Sequence, residues 1–279
     1  MRKRVLVAVA ALSLVLAIVV PAAAITGGQP DGDGHPYGAL VMIPGVGVCS
    51  GTLIDEDVVL TAGHCTDFFD GYGATEVWVT FDSEASVDDN WLPAGGTWYI
   101  SYGWATHPGY VDADWPFTLD YGLVFLDEEP GIDPADLPAA GILPELIGTT
   151  GQTDWRFLDV GYGQNGVNVG GGPPTRNFDW VRKYSVQRYH PGKGAVGALA
   201  PTWFVLNNVP SDKHGSACGG DSGSGIFPEA EDDFGNTVLA VHTGGYRLGN
   251  AGQICGRITS LNHRVDVPEV LDWIAGYMD

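Results

Sequence analysis

Short runs rich in β-branched and aromatic residues recur along this chain between clusters of Gly, Pro and Asp, and no long amphipathic pattern appears until the C-terminal end. Ala39–Ile43, Val58–Thr61, Val77–Phe81, Trp98–Tyr102, Leu123–Leu126, Phe157–Gly161, Trp180–Tyr189, Trp203–Asn207, Gly225–Phe227 and Val238–His242 read as strands. Many short strands joined by polar turns indicate an all-β sandwich or barrel rather than an α/β sheet. Glu231–Asn236 reads as a hairpin tip, and Pro130–Pro144 as a crossing between two β halves. One helix is expected. Asp266 can cap it, Pro268 sits in its first turn, and Val267, Val270, Leu271 and Ile274 share a face.

The first residues have the form of a targeting segment. Arg2, Lys3 and Arg4 precede an uncharged, mostly apolar run, Val5–Val20, and Pro21 leads into Ala22-Ala23-Ala24, which suits signal peptidase. The run is short for a membrane span of ~20 apolar residues, so export with cleavage after Ala24 is expected. The remaining 255 residues carry ten basic against thirty-four acidic side chains, a formal charge of −24. Such a surface argues against nucleic acid or anionic membrane as a partner. All four cysteines lie after the leader, where an oxidising compartment favours disulfides. Three pairings are possible; the local one joins Cys49 to Cys65 and Cys218 to Cys255. Nothing has the spacing of a zinc site, so no metal or cofactor is expected.

Three segments carry chemistry. Gly219-Gly220-Asp221-Ser222-Gly223-Ser224 holds a serine between glycines, where a tight turn can present a hydroxyl beside backbone N–H groups. Thr61-Ala62-Gly63-His64-Cys65 offers a base that works near neutral pH. Asp120-Tyr121-Gly122-Leu123-Val124 offers a carboxylate to fix the imidazole tautomer. Taken singly each has a bland reading as a turn or a satisfied polar side chain. The order His64, Asp120, Ser222, with Ser at position 224, excludes the G-x-S-x-G elbow of α/β-hydrolases.

These segments together resemble secreted serine proteases of the chymotrypsin/trypsin family. Cys49-Ser50-Gly51-Thr52-Leu53-Ile54 is similar to the C-G-G-[ST]-L-I strand, Thr61–Cys65 to [TA]-A-[AG]-H-C, and Asp120–Val124 to D-I-A-L-[LV]. Gly161-Tyr162-Gly163 matches the G-W-G that opens the second half, and Gly220–Gly223 matches the nucleophile motif. The resemblance implies two antiparallel six-stranded β-barrels with a catalytic triad of His64, Asp120 and Ser222 in the cleft. It places the signal at 1–24 and the protease domain at 25–279, with barrels over about 25–135 and 145–265 and a C-terminal helix over about 267–278. It further implies an oxyanion hole from the amides of Gly220 and Ser222, and the local disulfide pairing. Cleavage after Ala24 exposes Ile25-Thr26-Gly27-Gly28, similar to the I-V-G-G terminus of activated members, whose ammonium pairs with the Asp before the nucleophile, here Asp221.

For specificity, the resemblance puts Ser216 at the base of the primary pocket. Without a carboxylate there, trypsin-like cleavage after Lys or Arg is not expected, and apolar or small side chains are. The other wall, Val241-His242-Thr243-Gly244-Gly245, admits two alignments. In one, the Thr243 hydroxyl bonds Asp120 and His242 turns to the pocket, as in glutamyl endopeptidases. In the other, His242 itself partners Asp120. Ala217 lacks the hydroxyl an acid-binding pocket would use. His107, His190, His214 and His263 are expected on the surface or in loops, and Asp88, Asp89, Asp112 and Asp114 in solvated turns. The expectation is a monomeric extracellular endopeptidase acting on protein or peptide substrates; the rivals are an esterase and a binding module that kept the fold without turnover.

Overall fold

The computed structural model describes residues 25, 27–114, 118–149, 156–164, 178–190, 201–208, 215–247 and 258–278. Its organising strand is β2 (Gly38–Ile43), buried on both faces. Ala39, Val41 and Ile43 point into one barrel's core, while Leu40 on the other face meets Tyr162 of the second barrel. A strand sandwiched in this way has no polar face, which is why it reads as a continuous apolar run.

Around β2 the first sheet adds β3 (Gly47–Leu53), β4 (Val58–Thr61), β5 (Val77–Thr80), β6 (Tyr99–Ser101), β7 (Gly103–Thr106) and β8 (Gly122–Phe125), in the order β6-β5-β2-β3-β4-β8-β7. β6 and β7 are consecutive pieces of one run broken at Tyr102, where the Ser101 hydroxyl turns back to the Gly103 carbonyl at 2.7 Å. Counted as one strand, they make this a six-stranded, nearly closed barrel. The second sheet comprises β9 (Arg156–Gly161), β10 (Lys183–Tyr189), β11 (Trp203–Asn208), β12 (Gly225–Pro228), β13 (Ala240–Arg247) and β14 (Ile258–Arg264). It closes completely, because β9 pairs with both β12 and β10. A short N-terminal strand, β1 (Gln29–Pro30), crosses over to the edge of β10, with Gln29 opposite Tyr184. The fold is therefore the expected all-β pair of barrels.

Helices depart from expectation. Besides α3 (Pro268–Ala275), the chain forms α1 (Gly63–Tyr72) and α2 (Ile142–Thr149). Val270 and Ile274 of α3 are fully buried, as the face pattern predicts. Asp266 does not cap α3, however; Val267 holds that position with no side-chain bond. Asp266 instead accepts the Leu143 N–H at 2.8 Å, capping α2 from across the sequence, and takes two bonds from Arg264 at 2.8 and 2.9 Å. A charge-paired carboxylate on the first turn of α2 meets both its orphan N–H groups and its dipole.

The histidines also depart from expectation. His263 is buried within β14, neither at the surface nor in a loop; His107 lies in the loop after β7 but is buried and packs on Trp273 at 4.8 Å, while His214 lies outside the described residues. Among the described residues, no helix is long and apolar enough to cross a membrane, and the leader falls outside them.

Candidate active site

β4 delivers the chain to α1 so that His64 stands in the helix's first turn. Ala62 at the N-cap offers no side-chain acceptor. Asp120, just before β8, supplies one: Oδ1 accepts the His64 backbone N–H at 2.7 Å and Oδ2 meets His64 Nδ1 at 2.9 Å. One carboxylate thus fixes both the main chain and the ring. The Asp120 side chain is fully buried and the His64 side chain is 30% exposed, so the ring's far edge faces the cleft. Tyr121 anchors this segment to the second barrel, its hydroxyl donating to the Arg264 carbonyl at 2.6 Å.

Burial opposes charge on the His64 ring, but the bond to Asp120 and that carboxylate's field outweigh it and raise the pKa above the ordinary 6.5. Burial likewise works against the Asp120 carboxylate. His64 reverses this, aided by His263, and holds Asp120 below 3.8.

Opposite stands the turn of residues 219–224, where every carbonyl from Gly219 to Ser222 is tied off. Gln164 N donates to Gly219 O at 2.8 Å, Ser50 Oγ to Gly220 O at 2.9 Å, Ser224 N to Asp221 O at 2.8 Å and Ser50 N to Ser222 O at 2.7 Å. Gly223 has φ +87°, and a Cβ there would stand 2.1 Å from Thr61 Oγ1, so only glycine lets the turn lie against the strand that leads to His64. Gly220 likewise has a positive φ, +98°. Among the described residues, neither the Gly220 nor the Ser222 N–H has an acceptor, and Ser222 Oγ makes no hydrogen bond. Two unpaired N–H donors flank one unpaired hydroxyl.

Asp221 points the other way, wholly buried, accepting Gly163 N at 2.7 Å and Cys218 N at 2.8 Å. Burial and the Asp159 charge push its pKa well up, against those two bonds and the field of Lys183. Lys183 was not singled out in the sequence; it is a fully buried ammonium bonded to Asp179. Ile25 is also fully buried, beside Gly215, with its carbonyl accepting Gly28 N at 2.6 Å. In the uncut chain its nitrogen is a peptide nitrogen, and no bond joins it to Asp221.

Ser216, Ala217 and Cys218 are buried on the approach to the turn, and β13 is bonded to it through Gly223 N to His242 O at 2.8 Å. His242 does not partner Asp120, which removes one of the two alignments. Its Nδ1 meets Ser260 Oγ at 3.0 Å and Asn262 Oδ1 at 3.2 Å, with Asp159 Oδ2 behind at 3.9 Å. The bond that the other alignment expects is also absent: the Thr243 hydroxyl is buried with no partner among the described residues and does not bond Asp120. The register slips between His242 and Gly244, and this bulge re-aims Thr243. Gly244 and Gly245 follow it on β13, half-buried. Near Asp120 stands His263 of β14, fully buried, with neither ring nitrogen bonded among the described residues. The sequence carries a signal for Asp159, an acid inside the apolar strand Phe157–Gly161, but none for His263.

Cys49 and Cys65 are joined, closing the loop between β3 and α1. Cys218 is disulfide-bonded, and Cys255 lies outside the described residues.

Two β-barrels, one carrying a histidine–carboxylate pair and the other a glycine-bounded serine, have the features of the class of two-barrel serine hydrolases. The family model for trypsin matches residues 25–274, and the chain belongs to that family of serine endopeptidases. The solved structure of HL collagenase is similar in fold, with a TM-score of 0.59 at 20% identity, over 91% of this chain and 98% of that one. No curated protein matches the sequence.

Proposed function

We propose that the protein is an exported endopeptidase in which Ser222 attacks the scissile carbonyl, His64 moves the proton, and Asp120 holds His64 in the required tautomer. The observation that carries this reading is the turn's accounting: every carbonyl from Gly219 to Ser222 is bonded, while the Gly220 and Ser222 amides have no acceptor among the described residues. Donors fixed in advance stabilise the oxyanion without reorganising as charge develops. A raised His64 pKa makes the ring a stronger base, and the imidazolium formed during attack is stabilised by Asp120. The proton then passes to the leaving amine, and water repeats the sequence on the acyl-enzyme. Replacing Ser222 by Ala should abolish labelling by a fluorophosphonate probe; a labelled Ser222Ala protein would overturn the assignment.

The primary pocket, in this reading, excludes Lys and Arg, because Ser216 at its base is neutral, and takes apolar or small side chains. A second reading, an acidic preference of the glutamyl type, is favoured by one observation. Ser260 and Asn262 occupy His242 Nδ1, leaving Nε2 as the ring atom available to a ligand. A peptide-library cleavage profile separates the two, since only the second predicts Glu before the cut.

Removal of residues 1–24 would release an Ile25 ammonium to pair with Asp221, a carboxylate already buried with the turn's own amides. Sequencing the N-terminus of the active extracellular form tests this, and a start elsewhere than Ile25 sinks it.

A further inference from the structure

Beside the turn lies a group of aromatic side chains that the chemistry above does not use. Phe178 and Trp180 stack with ring centroids 4.7 Å apart and 12° between planes. Trp91 stands edge-on to both, at 5.2 and 5.6 Å. All three are half-buried rather than part of a sealed core. Trp91 and Trp180 have φ of +63° and +60°, a conformation that bulky side chains rarely adopt. Each is held there by neighbouring backbone: Trp91 O accepts Gly45 N at 2.8 Å, and Trp180 O accepts Ala85 N at 2.7 Å. Backbone strain held by surrounding bonds is a mark of functional surfaces.

The group adjoins the reacting centre. A Cβ on Gly220 would fall 2.8 Å from Phe178 Cε1, so the ring lies on the glycine whose amide faces the oxyanion. In the proposed chemistry the acyl-side residue enters the primary pocket, which leaves this flank to the departing half of the substrate. The β2–β3 turn that holds Trp91 through Gly45 also touches, at Gly47, Phe68 of α1, the helix that carries His64. The pocket walls, Ser216–Cys218 and His242–Gly245, belong to other segments.

We infer that Trp91, Phe178 and Trp180 form a subsite for an aromatic or large aliphatic side chain within the first two residues after the scissile bond. The inference rests on the proposed acyl-enzyme chemistry. Stacked and edge-on rings offer apolar faces to such a side chain and nothing to a charged one.

Acyl transfer tests it. An ester substrate is used to form the acyl-enzyme, and amino-acid amides then compete with water for it. The amine nitrogen attacks the acyl carbonyl, the bond to Ser222 Oγ breaks, and the amine's proton returns through His64 to Ser222 Oγ. The ratio of transfer to phenylalaninamide over glycinamide reports only on active molecules, so a partly misfolded variant does not distort it. The wild-type ratio should be about tenfold, the scale of partly burying one aromatic side chain. It should fall toward unity in Trp91→Ala and Phe178→Ala. A flat wild-type ratio, or variants that keep the preference, overturns the subsite. Failure of the wild type to give any acyl-enzyme burst overturns the proposed chemistry instead.

Discussion

The two barrels differ in what they bury. In the first, the buried polar side chains are chiefly hydroxyls such as Ser50, Thr61 and Thr80, with His35, His107 and Asp120 as titratable exceptions. In the second, Asp159, Lys183, Asp221, His242 and His263 are all buried, and Asp159 ties several together. Its Oδ1 accepts Ser224 Oγ at 2.5 Å and its Oδ2 accepts Gln187 Nε2 at 2.9 Å, beneath His242. The first barrel is a largely apolar frame that holds the His64–Asp120 pair at its rim, with Asp31 paired to His35 and Arg182 where the barrels meet. The second sets the Ser222 turn and β13 on a buried polar network, so under the proposed function changes to that network should reach the substrate.

The largest effect should come from the exception in the apolar frame. Asp120→Asn keeps the side chain's shape but presents an N–H where the ring needs an acceptor, and kcat should fall about 10⁴-fold. In the wild type, the acid limb of kcat/KM should lie above pH 6.5, because His64 must be neutral to accept the proton and its pKa is raised. In Asp120→Asn the residual activity should show that limb at lower pH, since burial alone opposes the charged ring. An unmoved limb would detach His64 from the rate-determining proton.

Next come matched substitutions in the two cores. Asp159→Ala leaves Ser224, Gln187 and His242 short of a partner and should cost about 3–5 kcal/mol in urea unfolding. Leu60→Ala, also fully buried, should cost about 2–5 kcal/mol through its cavity. Stability alone does not separate them; substrate choice should. Asp159→Ala is expected to change the cleavage profile through His242, and Leu60→Ala to leave it as it was. Equal profiles would show that the polar network is only structural.

Both barrels are legible in part: apolar runs mark strands in each, while β3 and β7 of the first, built largely from glycine and other small residues, and β14 of the second lack that signal. Ala39–Ile43 and Val58–Thr61 are apolar runs of high β-propensity, and the structure places strands there within a residue. β14 was missed because its inward positions include Ser260 and Asn262, which spoil the alternation that marks a half-buried strand. α1 and α2 were missed because their caps come from Asp120 and Asp266, distant residues that leave no local signal. The residues expected to form the site were legible through motifs, and the structure brings His64 and Asp120 together at 2.9 Å. His242 and Thr243 were not, because a register slip between His242 and Gly244 sets how the two side chains are presented, and neither bonds Asp120.

Two histidines near Asp120, one from each barrel, should answer pH with opposite signs. His64 has a raised pKa, so its contribution to stability is present below its unfolded value and fades as pH rises through the folded one. His263 is held down to about 4 by burial, with Asp120 pulling it up and His64 pushing it down. Between pH 6.5 and about 4 the unfolded chain binds a proton that the folded chain refuses. Stability should therefore fall with pH across that window, by up to about 3 kcal/mol from this group. His263→Leu removes the effect, so unfolding curves of variant and wild type should draw together, or cross, as the pH is lowered. A constant gap between them would mean that the ring titrates normally and is not sealed in.

The smallest effect tests whether depth, rather than charge as such, separates the barrels. Arg156 and Glu229 lie on the second barrel with Nη1 and Oε2 at 3.6 Å, their side chains 45% and 41% exposed. Water and salt screen such a pair, so a double-mutant cycle to Ala should give a coupling below about 0.5 kcal/mol, shrinking further in high salt. The backbone bond from Glu229 N to Arg156 O, at 3.0 Å, is untouched by either substitution and should hold the two segments together. A coupling well above that limit would give surface cations an unexpected weight in a chain with thirty-four acids and thirteen bases. The second barrel's sensitivity to charge would then begin at its surface, and the buried network around Asp159 would no longer be what distinguishes it from the first.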